Sequence, residues 1–280
     1  MADIADIVVV GGGVHGASTA WHLAKRNAGK IVLIEKDAIA SGASGWSSAI
    51  VRMHYQLESL VKVTMYGREM YGDWENIVGV GESGFRKVGF LVLFPEDEIE
   101  HGHSVIKMQQ RLGIDARYIS RDEISQIEPR LSIEDVAAGA WEPNSGYADG
   151  STVANSFVAA ARSLGVEVRI GPEAVGLTTV DEKITGVETS EGMIHAGTVI
   201  VEAGFRTSAL LAHHGVDLPI VPVRHAIAVV KRTQDFGDIH PIVSDRVARA
   251  YYRPEAENLT LLGEHDPLRG LVDEEVEVTK

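Results

Sequence analysis

The sequence predicts an α/β fold that opens with a parallel strand, a glycine loop and a helix. The run Ile7–Val10 is continuous, apolar and β-branched, which is typical of a strand buried on both faces of a parallel sheet. From Ala17 to Arg26 the apolar side chains recur at helical spacing, and a second apolar strand from Lys30 to Ile34 ends in Glu35. Strand, helix and strand therefore follow one another in the order of a parallel βαβ unit.

The loop between the first strand and the helix carries glycines at the spacing G-x-G-x-x-G. Gly11 permits a tight turn, Gly13 lets backbone N–H groups approach a pyrophosphate, and Gly16 lets the helix pack closely on the strand. Glu35 lies about 20 residues beyond the loop, where a carboxylate accepts hydrogen bonds from a ribose diol and repels a 2′-phosphate. The sequence therefore predicts a dinucleotide site and disfavours NADP.

The bulk composition narrows the class of protein. The 280 residues carry a formal net charge of −14, which argues against a nucleic-acid partner because phosphate binding requires a basic face. The chain has no cysteine, which excludes disulfides, thiolate catalysis and cysteine-ligated metals. No run approaches about 18 apolar residues, and the N-terminal residues do not resemble a secretion signal. We expect a cytoplasmic enzyme without a metal site or a membrane span.

The loop that follows Glu35 favours FAD over NAD as the dinucleotide. In an NAD-binding domain of this type the second strand usually feeds another helix promptly, whereas here it feeds a Gly/Ser/Ala-rich segment from Ser41 to Ser48. Small side chains let such a loop pass close to a cofactor, and its length suits a cofactor with a second half to cover. A helix is expected to begin near Ser48 and to include His54 and Tyr55.

Four stretches together resemble the FAD-dependent amino-acid and amine oxidoreductase family, which includes D-amino-acid oxidase. They are VVVGGGVHGASTAWHLA from Val8, SGASGWSSAIVRMHY from Ser41, GYADGSTVANSFVAAARSLGVEV from Gly146 and GTVIVEAGFRTSALL from Gly197. With YYRPEAENLTLLGEHD from Tyr251 they extend over almost the whole chain, and they are most similar to the sarcosine oxidase and dimethylglycine dehydrogenase branch.

The resemblance implies a Rossmann-like FAD-binding domain interleaved with an α+β substrate domain built on an antiparallel sheet. The FAD-binding domain would comprise residues 1–84 and 146–214, and the substrate domain residues 85–145 and 215–280. The family continues beyond the length of this chain, so the C-terminal part of its fold is expected to be missing, and a partner subunit could supply it. The residues themselves indicate a helix from Ser151 to Leu164 and strands over Val88–Phe94, Ile220–Lys231, Ala248–Tyr252 and Leu259–Leu262.

The resemblance also implies which residues bind FAD. The residues that match the family's cofactor-binding positions are Gly11, Gly13, Gly16, Glu35, Lys36, Ser41, Ser44, Ser48, Val175, Ala203 and Gly204. Members that attach FAD covalently do so through a histidine that follows a tryptophan, and here Trp46 is followed by Ser47. FAD is therefore expected to be held by non-covalent contacts.

Three residues match positions that contact the substrate in sarcosine-oxidase-like members. Arg52 matches an arginine that binds a substrate carboxylate, a role that suits the bidentate geometry of a guanidinium. His265 matches an active-site histidine, and Tyr252 is the favoured residue of the Tyr-Tyr-Arg run on the strand expected to face the substrate. For each of them a structural role, in an ion pair or in packing, is the competing interpretation.

The reaction implied by the resemblance is oxidation of the C–N bond of a secondary amine or amino acid such as sarcosine, by hydride transfer to flavin N5 and hydrolysis of the imine. Leu261 stands where monomeric sarcosine oxidases place a lysine near the flavin, which favours a dehydrogenase over an oxidase. Two alternatives stay open: a non-catalytic FAD-binding fragment or subunit that needs a partner chain, and an FAD enzyme of hydroxy acids or glycerol 3-phosphate.

Overall fold

The computed structural model describes residues 3–223 and 225–265. The strands are β1 (Ile7–Val10), β2 (Ile31–Glu35), β3 (Ile50–Val51), β4 (Arg86–Lys87), β5 (Phe90–Phe94), β6 (Arg117–Ile119), β7 (Ala138–Glu142), β8 (Gly146–Tyr147), β9 (Glu167–Ile170), β10 (Ala174–Val180), β11 (Lys183–Thr189), β12 (Gly192–His195), β13 (Thr198–Val201), β14 (Ile227–Lys231), β15 (Ile242–Asp245), β16 (Ala250–Glu255) and β17 (Leu259–Glu264). The helices are α1 (Val14–Lys25), α2 (Ala43–Trp46), α3 (Glu58–Gly72), α4 (Trp74–Ile77), α5 (Ile99–Arg111), α6 (Arg121–Ile127), α7 (Gly150–Ser163) and α8 (Thr207–Ala212).

The chain divides into two compact units, each built from segments that are distant in sequence. Unit 1 comprises the residues up to Ala49, Asp73–Gly84 and Asp149–Val221, and unit 2 comprises Ile50–Gly72, Phe85–Ala148 and the described residues from Pro222 onward. The segment Ile50–Gly72, which the sequence analysis assigns to the first domain, lies in unit 2. It belongs to unit 2 because β3 pairs with β8 and α3 packs against α5.

Unit 1 is built on a parallel sheet with the strand order β13-β1-β2-β9. Val8 and Ile34, on one face of this sheet, pack against the antiparallel meander β10-β11-β12 through buried Val187 and Ile194. Helices α1 and α7 pack against each other, and the small Ala20 of α1 is fully buried. The predicted α/β class and the predicted strand, helix and strand order are therefore confirmed.

Helix α7 begins and ends close to the predicted bounds. Asp149 is its N-cap, because the carboxylate accepts a 2.6 Å hydrogen bond from the backbone N–H of Thr152. Phe157 and the neighbouring small side chains of α7 are buried, and the Phe157 ring lies 5.5 Å from that of Trp21 on α1. This contact between two helices completes the layer on which the sheet of unit 1 rests.

Unit 2 is built on a seven-stranded sheet with the order β14-β17-β16-β15-β5-β7-β6. The substrate domain was expected to have an antiparallel sheet, but β15 and β5 pair in parallel, so the sheet is mixed. One face carries Phe90, Val92 and Phe94 and packs against Ile106 of α5. The other face carries Leu91, Leu93, Val243 and Tyr252 and packs against Ile124 of α6.

The segment between Ser47 and α3 is irregular, and the helix predicted to begin near Ser48 is not formed. Ala49 has a φ of +47°, which an α-helix does not tolerate, and the next two residues form β3. Residues 52–57 then have neither helical nor strand structure, and α3 begins only at Glu58. Arg52 and its neighbours are therefore carried by an extended strap, defined here as residues 52–57.

Candidate cofactor and substrate sites

The glycine loop of unit 1 makes a tight turn from β1 into α1. Gly11 has a φ of +112°, and its N–H donates to the carbonyl of Ile34 at 2.8 Å. A Cβ atom added at Gly16 would collide with the Gly11 carbonyl, so Gly16 is required for close packing of the helix on the loop. These two predicted cofactor residues shape the loop, and Gly16 does not line the cleft described below.

Gly13 lies at the N-cap of α1 in an extended conformation that any residue adopts. A Cβ added there would meet only Ser44 Oγ, at 3.1 Å, so the fold itself does not require glycine at this position. The Val14 N–H donates a 2.9 Å hydrogen bond to Ser44 Oγ, and the first turn of α1 has no acidic side chain. The positive end of the helix dipole is thus open to an anion.

Glu35 holds the other side of the loop. One of its carboxylate oxygens accepts the Gly12 N–H at 2.7 Å, and the other accepts the Asp37 N–H at 2.9 Å. Lys36, predicted to face the cofactor, forms a 3.0 Å ion pair with Glu173. The side chains at the carboxyl end of β2 are therefore fixed before any ligand binds.

A cleft of about 900 Å³ lies in unit 1 along the carboxyl ends of β1, β2 and β13. The predicted cofactor residues that line it are Gly11, Gly13, Glu35, Lys36, Ser41, Ser44, Val175, Ala203 and Gly204. Val175 is 51% exposed although it belongs to strand β10, so its apolar side chain is free to contact a ligand. Ser48 does not line the cleft, and its neighbour Ser47 does.

Sequence reasoning missed several polar residues of the cleft. His15, Glu202, Arg206 and His213 line it, and His15 Nδ1 lies 3.8 Å from a carboxylate oxygen of Glu202. Arg206 follows the Ala203-Gly204 pair by two residues, so its position after β13 was a usable signal. Arg206 adds positive charge to a cleft that already contains a helix N-terminus.

In unit 2, Arg52 lies on the strap with its guanidinium between two aromatic rings. The guanidinium carbon is 4.6 Å from the centre of the Tyr55 ring and 5.3 Å from that of Phe90. One guanidinium nitrogen donates to the carbonyl of His54 at 3.2 Å. Among the described residues no carboxylate lies within 4.0 Å of it, so the competing interpretation of a structural ion pair is not supported.

His265 and Arg52 share one face of the seven-stranded sheet. The His265 ring is 3.2 Å from Ser244 Oγ, and its centre is 5.6 Å from that of the Tyr251 ring. Partial burial of the ring, followed by the positive charge of Arg52, lowers the pKa of His265. Arg52 and His265 are therefore close enough for the charge of the arginine to act on the imidazole ring.

Tyr252 does not join this group. It pairs with Val243 and Leu262 and packs with the cluster on the opposite face of the sheet. Side chains along a strand point alternately to the two faces of the sheet. Tyr251 therefore lies on the face that carries Arg52, and Tyr252 lies on the opposite face. The preference for Tyr252 over Tyr251 as the substrate-facing tyrosine is corrected accordingly.

The ring of His54 is largely buried against Phe90 and Phe94, with centres 6.5 and 6.2 Å away. Burial, followed by the charge of Arg52, lowers the pKa of His54 to about 4. The folded protein therefore keeps the ring neutral, whereas the unfolded chain protonates it below its ordinary pKa of about 6.5.

This difference predicts a pH-dependent loss of stability between pH 6.5 and 4. The contribution of His54 to the free energy of unfolding falls by about 2 kcal/mol between pH 7.5 and 5. The reason is that His54 binds a proton in the unfolded chain over this range, whereas it stays neutral in the folded protein. We expect His54→Phe to flatten the pH dependence measured by urea unfolding. The exposed His101→Gln should keep the wild-type slope, and an unchanged slope in His54→Phe would contradict the assignment.

Comparison with known proteins places the chain in a family. Residues 6–279 match the family described as FAD dependent oxidoreductase (DAO). The chain belongs to this family. It is 27% identical over 256 residues to the sarcosine oxidase subunit beta of an Arthrobacter species, and the aligned region covers 85% of this chain and 60% of that protein. It is 24% identical over 265 residues to the mitochondrial sarcosine dehydrogenase of Homo sapiens, which covers 92% of this chain and 29% of that protein.

Two solved structures show the same fold. The chain superposes on L-proline dehydrogenase from P. horikoshii with a TM-score of 0.85 and 26% identity, over 95% of this chain and 71% of that chain. It superposes on glycine oxidase from Bacillus cereus with a TM-score of 0.79 and 24% identity, over 98% of this chain and 74% of that chain. The chain thus spans only part of the proteins that it resembles. Within the described residues, no helix is long and apolar enough to cross a membrane.

Proposed function

We propose that this member of the family binds FAD non-covalently in the cleft of unit 1 and oxidises the C–N bond of a carboxylate-bearing secondary amine or amino acid, such as sarcosine. The observation that carries the substrate class is Arg52, a cation without an ion-pair partner among the described residues. Its guanidinium is packed by two aromatic rings and keeps further N–H donors free for a planar anion.

The residues of the cleft fit FAD. Gly13 leaves room for a pyrophosphate at the N-terminus of α1, because no side chain occupies the position of a Cβ atom there. The carboxylate of Glu35 lies at the end of β2, where a ribose diol could exchange hydrogen bonds with it. The small Ala203 and Gly204 and the exposed Val175 leave space for aromatic rings. Trp46 is followed by a serine rather than a histidine, which supports a non-covalent cofactor.

When bound, FAD supplies the electron-accepting chemistry, and the protein supplies binding and orientation. Arg52 binds the substrate carboxylate in a bidentate geometry and so limits the orientations of the adjacent carbon. Tyr55 and Phe90 shield the guanidinium from water, which strengthens its attraction for the anion. The lowered pKa of His265 keeps that ring neutral, so it adds no second positive charge beside Arg52.

We further propose that the electron acceptor is not oxygen. Leu261 lies on β17, paired with Arg253 and Val229, and its side chain carries no charge. A leucine cannot stabilise the negative charge that develops when oxygen is reduced, whereas a lysine can. This supports a dehydrogenase over an oxidase.

The experiment that tests the proposal is the visible spectrum of the purified chain after incubation with FAD. We expect a flavin absorption band that bleaches when sarcosine is added without oxygen and returns with an artificial electron acceptor faster than with air. Denaturation followed by filtration should release the flavin, because no covalent bond holds it.

Substrates of other classes decide between the alternatives. Bleaching by glycerol 3-phosphate or a hydroxy acid, and not by sarcosine or L-proline, would replace the amine substrate. A stable flavin band that no substrate bleaches would instead favour a cofactor-binding subunit that needs a partner chain.

A further inference from the structure

A buried carboxylate lies behind the strap of unit 2, at the end of β7. Glu142 is 1% exposed, and no arginine or lysine lies within ion-pair distance of it in the described part of the chain. Its three hydrogen bonds come from the Met53 N–H at 3.0 Å, the Ser145 hydroxyl at 2.7 Å and the side-chain amide of Gln109. Gln109, on α5, is itself fully buried.

A carboxyl group that is buried without an ion-pair partner lowers the stability of the folded protein. Burial raises the pKa of the Glu142 carboxyl, and the three hydrogen bonds and the positive charge of nearby Arg52 only partly oppose this effect. An apolar side chain of similar volume fills a core position at lower cost. Packing therefore does not explain why a carboxyl group occupies this buried position.

The Glu142 carboxylate binds the backbone of the strap. Residues 52–57 form neither helix nor strand, so no backbone ladder fixes the strap. Two of its few fixed points are the Tyr55 N–H bond to the Met53 carbonyl, at 3.0 Å, and the Met53 N–H bond to Glu142. The second of these ties the strap to the sheet, at the residue directly after Arg52.

We propose that Glu142 is a positioning residue for Arg52: by accepting the Met53 N–H it holds the guanidinium between Tyr55 and Phe90, in the orientation that binds a carboxylate. The inference rests on the proposed function of Arg52 as the carboxylate-binding residue. Glu142 acts through the backbone and does not touch the substrate. It determines how well the site distinguishes a carboxylate from a neutral group of the same shape.

Two substitutions separate anchoring from packing. Glu142→Leu keeps much of the volume and removes the acceptor, whereas Glu142→Gln keeps one oxygen that can accept the Met53 N–H. With the FAD-loaded chain, acetate and its neutral analogue acetamide serve as probes, and the thermal shift that each produces reports its affinity. We expect Glu142→Leu to weaken acetate binding by about tenfold or more, which corresponds to one lost hydrogen bond of about 1.4 kcal/mol. Acetamide binding and FAD affinity should stay unchanged.

Kinetics with sarcosine supply the second measurement. KM should rise in Glu142→Leu by the same factor as the acetate dissociation constant, with kcat within about threefold, because the lost interaction is one of binding. Glu142→Gln should return both values to within about threefold of wild type. Glu128→Leu is the matched control, since Glu128 is also a buried carboxylate of unit 2 but bonds to Arg130. It should lower the melting temperature without changing the preference for acetate.

The outcomes of these measurements distinguish a wrong role for Glu142 from a wrong role for Arg52. If Arg52→Gln abolishes acetate binding while Glu142→Leu retains it, the positioning role is wrong and the proposed function stands. If wild type does not prefer acetate to acetamide, the role of Arg52 is wrong, and the inference fails with it. If Glu142→Leu does not fold, Glu142→Asp decides: its carboxylate is one methylene shorter, and acetate binding as strong as in wild type would overturn the proposal.

Discussion

If the proposed function is right, we expect replacement of Arg52 by glutamine to lower kcat/KM for sarcosine by roughly 100- to 1000-fold, which corresponds to about 3 to 4 kcal/mol of lost transition-state stabilisation. The loss should appear mainly in KM, since a carboxylate is bound alike in the ground state and in the transition state. Stability should change little, because Arg52 has no ion-pair partner among the described residues and donates only one hydrogen bond that the structure records, to the His54 carbonyl.

Arg52→Lys should recover only part of this loss. A lysine restores the positive charge, but it lacks the planar donor fork and the stacking between Tyr55 and Phe90. The exposed Arg117→Gln is the control for a lost charge in the same unit, and it should match wild type. Steady-state kinetics with sarcosine and with an amine that lacks a carboxylate provide the test. An equal loss for both substrates would show that Arg52 does not bind the carboxylate.

Substitution of Gly13 by alanine should weaken FAD binding by roughly 100-fold and leave the fold of the apoprotein intact. The added methyl group meets only Ser44 Oγ within the protein, at 3.1 Å, and φ at this position is −71°. The same methyl group projects where a pyrophosphate approaches the backbone at the start of α1, so the cost falls on the ligand. A 100-fold loss corresponds to about 2.7 kcal/mol.

The measurement is titration of the apoprotein with FAD, followed by flavin fluorescence, together with the melting temperature of the apoprotein. Gly67→Ala is the matched control, since Gly67 lies within α3 and a Cβ there meets nothing within 4 Å. It should leave FAD binding unchanged and stabilise the protein by up to about 1 kcal/mol. Wild-type affinity in Gly13→Ala would remove Gly13 from the pyrophosphate site.

The nucleotide unit was predictable because its signals are local. The run Ile7–Val10, the glycine spacing and Glu35 lie within thirty residues, and each has a meaning that does not depend on the rest of the chain. The loop turns at Ala49, where a positive φ of 47° gives no sequence signal in an alanine. The same turn explains why the expected helix through His54 does not form.

The face of unit 2 that carries Arg52 was harder to predict because it depends on pairing between distant strands. Whether Tyr251 or Tyr252 faces Arg52 is set by the register of β16 against β15 and β17, and a shift of one residue exchanges the two faces. The hydrogen bond between Met53 and Glu142 joins residues 89 positions apart. Glu142 lies outside the stretches that carry the family resemblance, so only the fold brings the two residues together.

The strap of residues 52–57 also bears on how such a protein could change its substrate over evolutionary time. A side chain on a helix or a central strand cannot be moved by an insertion without breaking a hydrogen-bonded ladder, whereas an irregular connection tolerates a change of length. Adding or deleting one residue between β3 and α3 would reposition the arginine while the parallel sheet of unit 1 stayed as it is. If Arg52 binds the substrate carboxylate as proposed, selection for longer or shorter acids could act on this connection alone, and one cofactor scaffold could serve a series of different substrates.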